Sequence, residues 1–212
     1  MRLGGLMPLV QWYTVKNREW PLVTKSVTSA GLLASGDTIC QLCERRFNDP
    51  SSAPPLGASN DLRTAELALL SGIDFSRVTR MAAWGLLIGG PSSHWFYNAV
   101  ERAVPPAWTG AKCIAAKVFI DQALYTPPLT LAFFTFQNFF SSPSFSTALL
   151  AESLSSGGEK LWPTLKVNWV YWSCVHVATF SVIPLEFRVL FVASKNLLWS
   201  AFLSVVAYAP KQ

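Results

Sequence analysis

Residues Phe119 to Phe140 read FIDQALYTPPLTLAFFTFQNFF. Asp121 and Gln122 stand inside this apolar, aromatic-rich run, and Pro127 with Pro128 interrupts it. A carboxylate in such surroundings needs a basic partner or hydrogen-bond donors, or it takes up a proton as its pKa rises. The pattern recurs on either side, in PLVTKSVTSAGLLASGDTICQL (Pro21 to Leu42) and in WPTLKVNWVYWSCVHVATFSVIP (Trp162 to Pro184). Polar groups within apolar helices belong on the inner faces of a bundle that packs against itself in lipid. The expected fold is therefore all-α: a helical membrane bundle with Asp37, Asp121, Gln122, Asn168 and His176 turned inward.

Composition points the same way. Apolar residues make up 51% of the 212 and charged residues 14%, against roughly 25% charged in an average domain. Mean hydropathy is +0.31. The 9 tryptophans and 14 phenylalanines exceed the needs of one small core and suit membrane interfaces. One integral membrane domain over 1–212 is expected, with room for four transmembrane helices of about 20 residues each.

Outward from the opening stretch, the first span is expected from Pro21 to Leu42, ending in the charged run CERRFNDP. Residues 48–60 (NDPSSAPPLGASN) form a Pro/Ser-rich loop. The second span follows Arg80, with Pro91 as a kink; the third runs from Lys112 to Phe140, with kinks at Pro127 and Pro128. The fourth runs from Trp162 to Pro184, after a short amphipathic helix around Phe145 to Leu154. Leu185 to Ala209 is either a further membrane helix or an interfacial one. Residues 1–20 read as an interfacial helix, with Leu9, Trp12, Tyr13 and Trp20 toward lipid. Gly31 with Ser35 and Gly85 with Gly89 are spaced to share helix-packing faces.

The net charge of +5 reads as topology and contact with membrane lipids, anionic lipid included, since basic residues are in excess on the side that would hold both termini. They never cluster as a nucleic-acid site requires. Cys40 and Cys43 form a lone CxxC, read as small hydrophobes. Two histidines without a Cys, Asp or Glu at ligand spacing make no metal site. No catalytic motif or cofactor-binding motif appears, so a non-enzymatic protein is expected.

The candidate pore-lining or bundle-bracing residues are Asp37, Gln41, Arg77, Arg80, His94, Asp121, Gln122, Asn168 and His176. Asp37 and Gln41 share a face and serve either interhelical hydrogen bonding or an aqueous path. Asp121 is either an ion-pair member or a gating carboxylate, with Arg77, Arg80, Lys25 and Lys117 as candidate partners. His94 and His176 are either satisfied interior groups or pH-sensitive ones.

Taken together, GDTICQ with Asp37 and Gln41, Arg77 and Arg80, GGPSSHWFY with Gly90, Pro91 and His94, DQALYTP with Asp121, Gln122 and Pro127, LWPTLKVNW with Asn168, and VIPLEFR with Pro184 and Arg188 resemble the Mpv-seventeen and 22-kilodalton peroxisomal membrane protein family. The ordered set spans most of the chain. The resemblance implies a four-span organelle membrane protein with a weakly selective channel role for small solutes. The alternative is an accessory structural transmembrane subunit of a larger inner-membrane complex; a homo-oligomer is also expected as a possible assembly. Localisation in the mitochondrial inner membrane is expected from the basic N-terminus, with the peroxisomal membrane as the alternative.

Overall fold

The computed structural model describes residues 7–48, 72–105, 107–181 and 195–202. These residues are helical apart from short turns. Helix α1 spans Met7–Glu19 and α2 spans Pro21–Asn48. The two are joined by Thr24 Oγ1, which donates to the Lys16 carbonyl at 3.0 Å. The expected end at Leu42 gives way to a helix that continues into the charged run as far as Asn48. The expected loop at 48–60 falls outside the described residues beyond Asn48.

Helix α3 (Phe75–Trp84) begins at Asp74, whose side chain accepts from the Arg77 amide at 3.1 Å, as an N-cap should. It runs into a π-helical turn, Gly85–Gly89, and then into α4 (Gly90–Ala103). Likewise α5 (Gly110–Ile120) runs through a second π-helical turn, Asp121–Tyr125, into α6 (Thr126–Phe139). In each wide turn a backbone N–H reaches five residues back, Gly90 to Gly85 and Thr126 to Asp121. Each turn ends two residues before a proline, Pro91 or Pro127. Proline lacks the N–H for an α-helical bond and its ring crowds the carbonyl four residues back; widening the preceding turn accommodates both effects. The second wide turn meets α4, because Tyr125 Oη lies 3.0 Å from Ser92 Oγ and its ring stacks on Phe96 at 3.9 Å.

Helix α7 spans Thr147–Ser181 with Pro163 in its interior. It absorbs both the short amphipathic helix expected near Phe145 and the fourth span. Residues 195–202 are helical and dock on α2, where Ser200 Oγ donates to the Leu32 carbonyl at 3.1 Å. The rest of the segment expected from Leu185 to Ala209 lies outside the described residues. The core is Met81, Trp84, Phe133 and Phe134, with Trp84 edge-on to Phe133 at 5.4 Å between ring centres.

The expected four-span bundle is corrected by these elements. Among the described residues no helix is long and apolar enough to cross a membrane. The second and third expected spans are each divided by a wide turn, leaving helices of 10, 14, 11 and 14 residues. Helices α2 and α7 are longer, at 28 and 35 residues, but serine, threonine, glycine and charged residues are distributed along both. The same finding overturns the channel role, the accessory transmembrane subunit, and multi-pass placement in the mitochondrial inner membrane or the peroxisomal membrane.

Small residues set the helix contacts. A Cβ added at Gly85 would lie 2.7 Å from the backbone of Ser29 and Ala30 on α2. One added at Gly90 would run into the Ser26 backbone. Gly89 has Ser29 Oγ 3.3 Å from where its Cβ would stand, whereas Gly31 has nothing within 4 Å and Ser35 is exposed. On α2 the approach is therefore made by Ser26, Ser29 and Ala30.

Candidate polar cavity and ion-pair network

Two polar centres lie along α2, separated by roughly 18 Å of helix between Lys25 and Asp37. The first is an ion-pair network. Asp37 is fully buried and receives Arg77 Nε at 2.7 Å and Gln41 Nε2 at 2.9 Å. Gln41 Oε1 accepts from the Asp74 amide at 2.6 Å, tying α2 to the start of α3. Arg77 continues to both carboxylate oxygens of Glu44, at 2.9 and 3.1 Å, and its Nη2 lies 3.6 Å from Cys40 Sγ. Burial alone would raise the Glu44 carboxyl. The hydrogen bonds from Arg77 and Cys40 and the charge of Arg77 outweigh it, so Glu44 sits below its ordinary value. The guanidinium is stabilised in turn: burial works against its charge, but the Glu44 and Asp37 contacts prevail and raise its pKa. Asp37, Gln41 and Arg77 thus act together as a brace between α2 and α3. Arg80 lies apart from this brace, bonding Ser76 Oγ at 2.7 Å on the exposed side.

The second centre is a cavity of about 380 Å³ between α1, α2, α4, α6, α7, the second π turn and residues 195–202. Asp121, Gln122, Asn168 and His176 all line it. The wide turn matters here, since it places the consecutive residues Asp121 and Gln122 both in the interior, each 7% exposed. Gln122 Nε2 donates to Asp121 Oδ2 at 2.8 Å, and Trp169 Nε1 donates to the Gln122 carbonyl at 3.0 Å, which joins α7 to the turn. His176 Nε2 stands 3.9 Å from Asp121 Oδ2. Burial lowers the His176 pKa, and the Asp121 charge only partly offsets it. Gln122 Oε1 and Asn168 Oδ1 are buried without a hydrogen-bond partner.

Lys25 lines the cavity from α2, with Nζ 3.4 Å from His94 Nδ1. His94 therefore reaches the cavity through Lys25. Of the kink residues, Pro91 and Pro127 take the second positions after the wide turns, and Pro128 follows in α6. Sequence reasoning named Lys25 only as a possible partner for Asp121, and it did not name Trp172, Trp199 or Ser200 as lining residues. The presence of Trp199 and Ser200 depends on tertiary docking of 195–202, which no local pattern encodes.

Among the described residues no group of His, Cys, Asp and Glu could hold a metal ion. The site thus defines an all-helical protein with a half-open, largely apolar cavity that carries several polar side chains, beside a buried ion-pair brace. Comparison with known proteins gives its family. The profile of the Mpv17 / PMP22 family matches residues 150–204. Peroxisomal membrane protein 2 of Bos taurus is 31% identical over 207 residues, covering 95% of this chain and 92% of its own. Protein sym-1 of Neurospora crassa is 32% identical over 202 residues, covering 92% and 97%. Protein sym1 of Aspergillus oryzae is 30% identical, covering 93% and 97%. The chain belongs to the Mpv17 / PMP22 family. No solved structure matches it.

Proposed function

We propose that this chain is a non-catalytic binding protein that holds a small polar molecule in the cavity between its helices. The observation that carries the reading is the cavity itself, on which Lys25, Asp121, Gln122, Asn168 and His176 converge from different helices. The volume of about 380 Å³ falls within the ~300–1,000 Å³ common to small-molecule sites.

Thermal unfolding of the full chain with polyols, amines, carboxylates and amino acids tests the reading. At least one class should raise the melting temperature of the wild type and leave that of Asn168→Leu unmoved. A flat response across all four classes would reject it.

The outer surface favours a second partner. Trp12, Trp20, Trp95, Phe119 and Val170 are exposed, and large apolar side chains at the surface are available for contact with an apolar phase or partner. Lipid is the partner this reading assigns, with the basic side chains toward anionic headgroups. In flotation with phosphatidylcholine vesicles the chain should rise with the lipid, more so when anionic lipid is added; recovery in the bottom fraction would contradict it.

A further inference from the structure

We infer that the molecule held in this cavity is an amphiphilic monocarboxylate, its charged head at Lys25 and its unbranched apolar chain lying along α2 toward Leu33. The inference rests on the binding reading above and adds the chemistry of the ligand.

The α2 wall changes character along its length. Lys25, Ser29, Leu32 and Leu33 all line the cavity, and their spacing puts them on one face of the helix. From Lys25 to Leu33 that face rises roughly 12 Å. Over this distance it passes from an ammonium through a hydroxyl to two leucines. The far end is apolar on other elements as well. Trp84 of α3 and Leu129 and Phe133 of α6 line it, and Leu33 and Leu129 pack against the core that Trp84 and Phe133 belong to.

The near end carries the charge. Lys25 is half-buried on the cavity wall, and its contact is the His94 ring, with Nζ 3.4 Å from Nδ1. An ammonium has three donors, so two remain beyond the imidazole. Among the described residues Lys25 makes no ion pair with a carboxylate. Ser29, one turn further along, adds a hydroxyl that can donate to the same anion. Asp121 lines the cavity from the second wide turn, where Gln122 Nε2 donates to it and His176 of α7 stands 3.9 Å away. The head group is seated on α2, so the fit does not depend on the charge of Asp121.

Other ligand chemistries fit one end and fail at the other. An alkylamine would fill the apolar end and bring a like charge to Lys25. An alcohol would cover the ammonium without supplying a counter-charge, which is costly for a charge removed from water. A dicarboxylate would carry its second charge in among Leu33, Trp84 and Phe133. A short carboxylate would pair with Lys25 and leave the leucine and aromatic surfaces uncovered.

Calorimetric titration of the full chain with butanoate, hexanoate, octanoate, octylamine, octan-1-ol and octanedioate tests this. Affinity should rise from butanoate to octanoate by up to about fourfold for each CH₂ buried. Octanoate should bind at least about tenfold more tightly than the other three compounds of its length, a difference of about 1.4 kcal/mol. Lys25→Met should erase its advantage over octan-1-ol, and Lys25→Arg should keep it. Leu32→Asn should weaken octanoate and leave butanoate unchanged. Octylamine or octan-1-ol binding as tightly as octanoate, or octanoate binding unaltered by Lys25→Met, would overturn the anionic head. Butanoate binding as tightly as octanoate would overturn the apolar chain. Each of these results leaves the binding reading intact. Binding by none of the six compounds would overturn the inference, and a flat thermal response to the four classes above would reject the binding reading as well.

Discussion

Arg77 Nε lies 2.7 Å from Asp37 Oδ1, and that contact joins two helices through a carboxylate with no access to solvent. Removing the cation leaves a buried charge uncompensated, which costs about 3–5 kcal/mol. Arg77→Met should lower unfolding stability by that amount in denaturant titration. The double variant Asp37→Leu with Arg77→Met should recover most of it, because a buried pair replaced by apolar side chains is often close to neutral. A loss below about 1 kcal/mol for the single variant would show that the contact behaves as a surface ion pair.

His176 and Glu44 give stability two distinct acid limbs. The His176 pKa is lowered in the folded state by burial, so between that value and the ordinary 6.5 the unfolded chain binds more protons and stability rises with pH. The contribution is complete above 6.5 and is lost as pH falls below it. Glu44 is lowered from 4.5, so its contribution is present above 4.5 and lost as pH falls through the lowered value. His176→Gln should flatten the melting temperature against pH just below 6.5 and leave the lower limb intact. An unchanged upper limb would remove His176 from this account.

Gly85 and Gly31 make a matched pair of tests. At Gly85 a Cβ would meet the α2 backbone at 2.7 Å, whereas at Gly31 it would meet nothing. Gly85→Ala should destabilise by about 1–3 kcal/mol through overpacking. Gly31→Ala should stabilise by up to about 1 kcal/mol, since alanine is the better helix former. Thermal unfolding that ranked the two variants in the opposite order would contradict the helix contact.

Asn168→Leu separates stability from binding. Replacing an amide whose oxygen is buried without a partner by an apolar side chain of similar size removes the desolvation cost. The variant should melt at or above the wild-type temperature in the absence of ligand and fail to respond to the compounds that stabilise the wild type. A fall of several degrees would mean that the amide has a structural role.

The helical content was legible in the sequence because apolar runs bounded by Pro, Gly and Ser clusters are local features. Asp121, Gln122 and Asn168 stood out for a similar reason: a polar side chain within an apolar run must be compensated somewhere. The division of the expected second and third spans was not legible. A hydropathy reading sums over residues and does not register a turn widened by one residue ahead of Pro91 or Pro127. The pairing of Arg77 was also out of reach, since Asp37 and Asp121 competed as partners and only the packing of α3 on α2 decides for Asp37. Lys25 looked like one more basic residue near a helix start until the fold placed it across a cavity from Asp121.

The wide turn at Asp121–Tyr125 fixes a phase between two helices. Each residue advances a helix by roughly 100°, so the extra residue in the turn sets which side of α5 faces the bundle relative to α6. Deleting one residue there would leave both helices intact as helices and swing the outer face of α5, where Phe119 is 69% exposed, around toward the interior. Segment length at this point constrains the protein as strictly as residue identity does, and a family member lacking one residue here would have to rebuild its cavity from a different set of side chains.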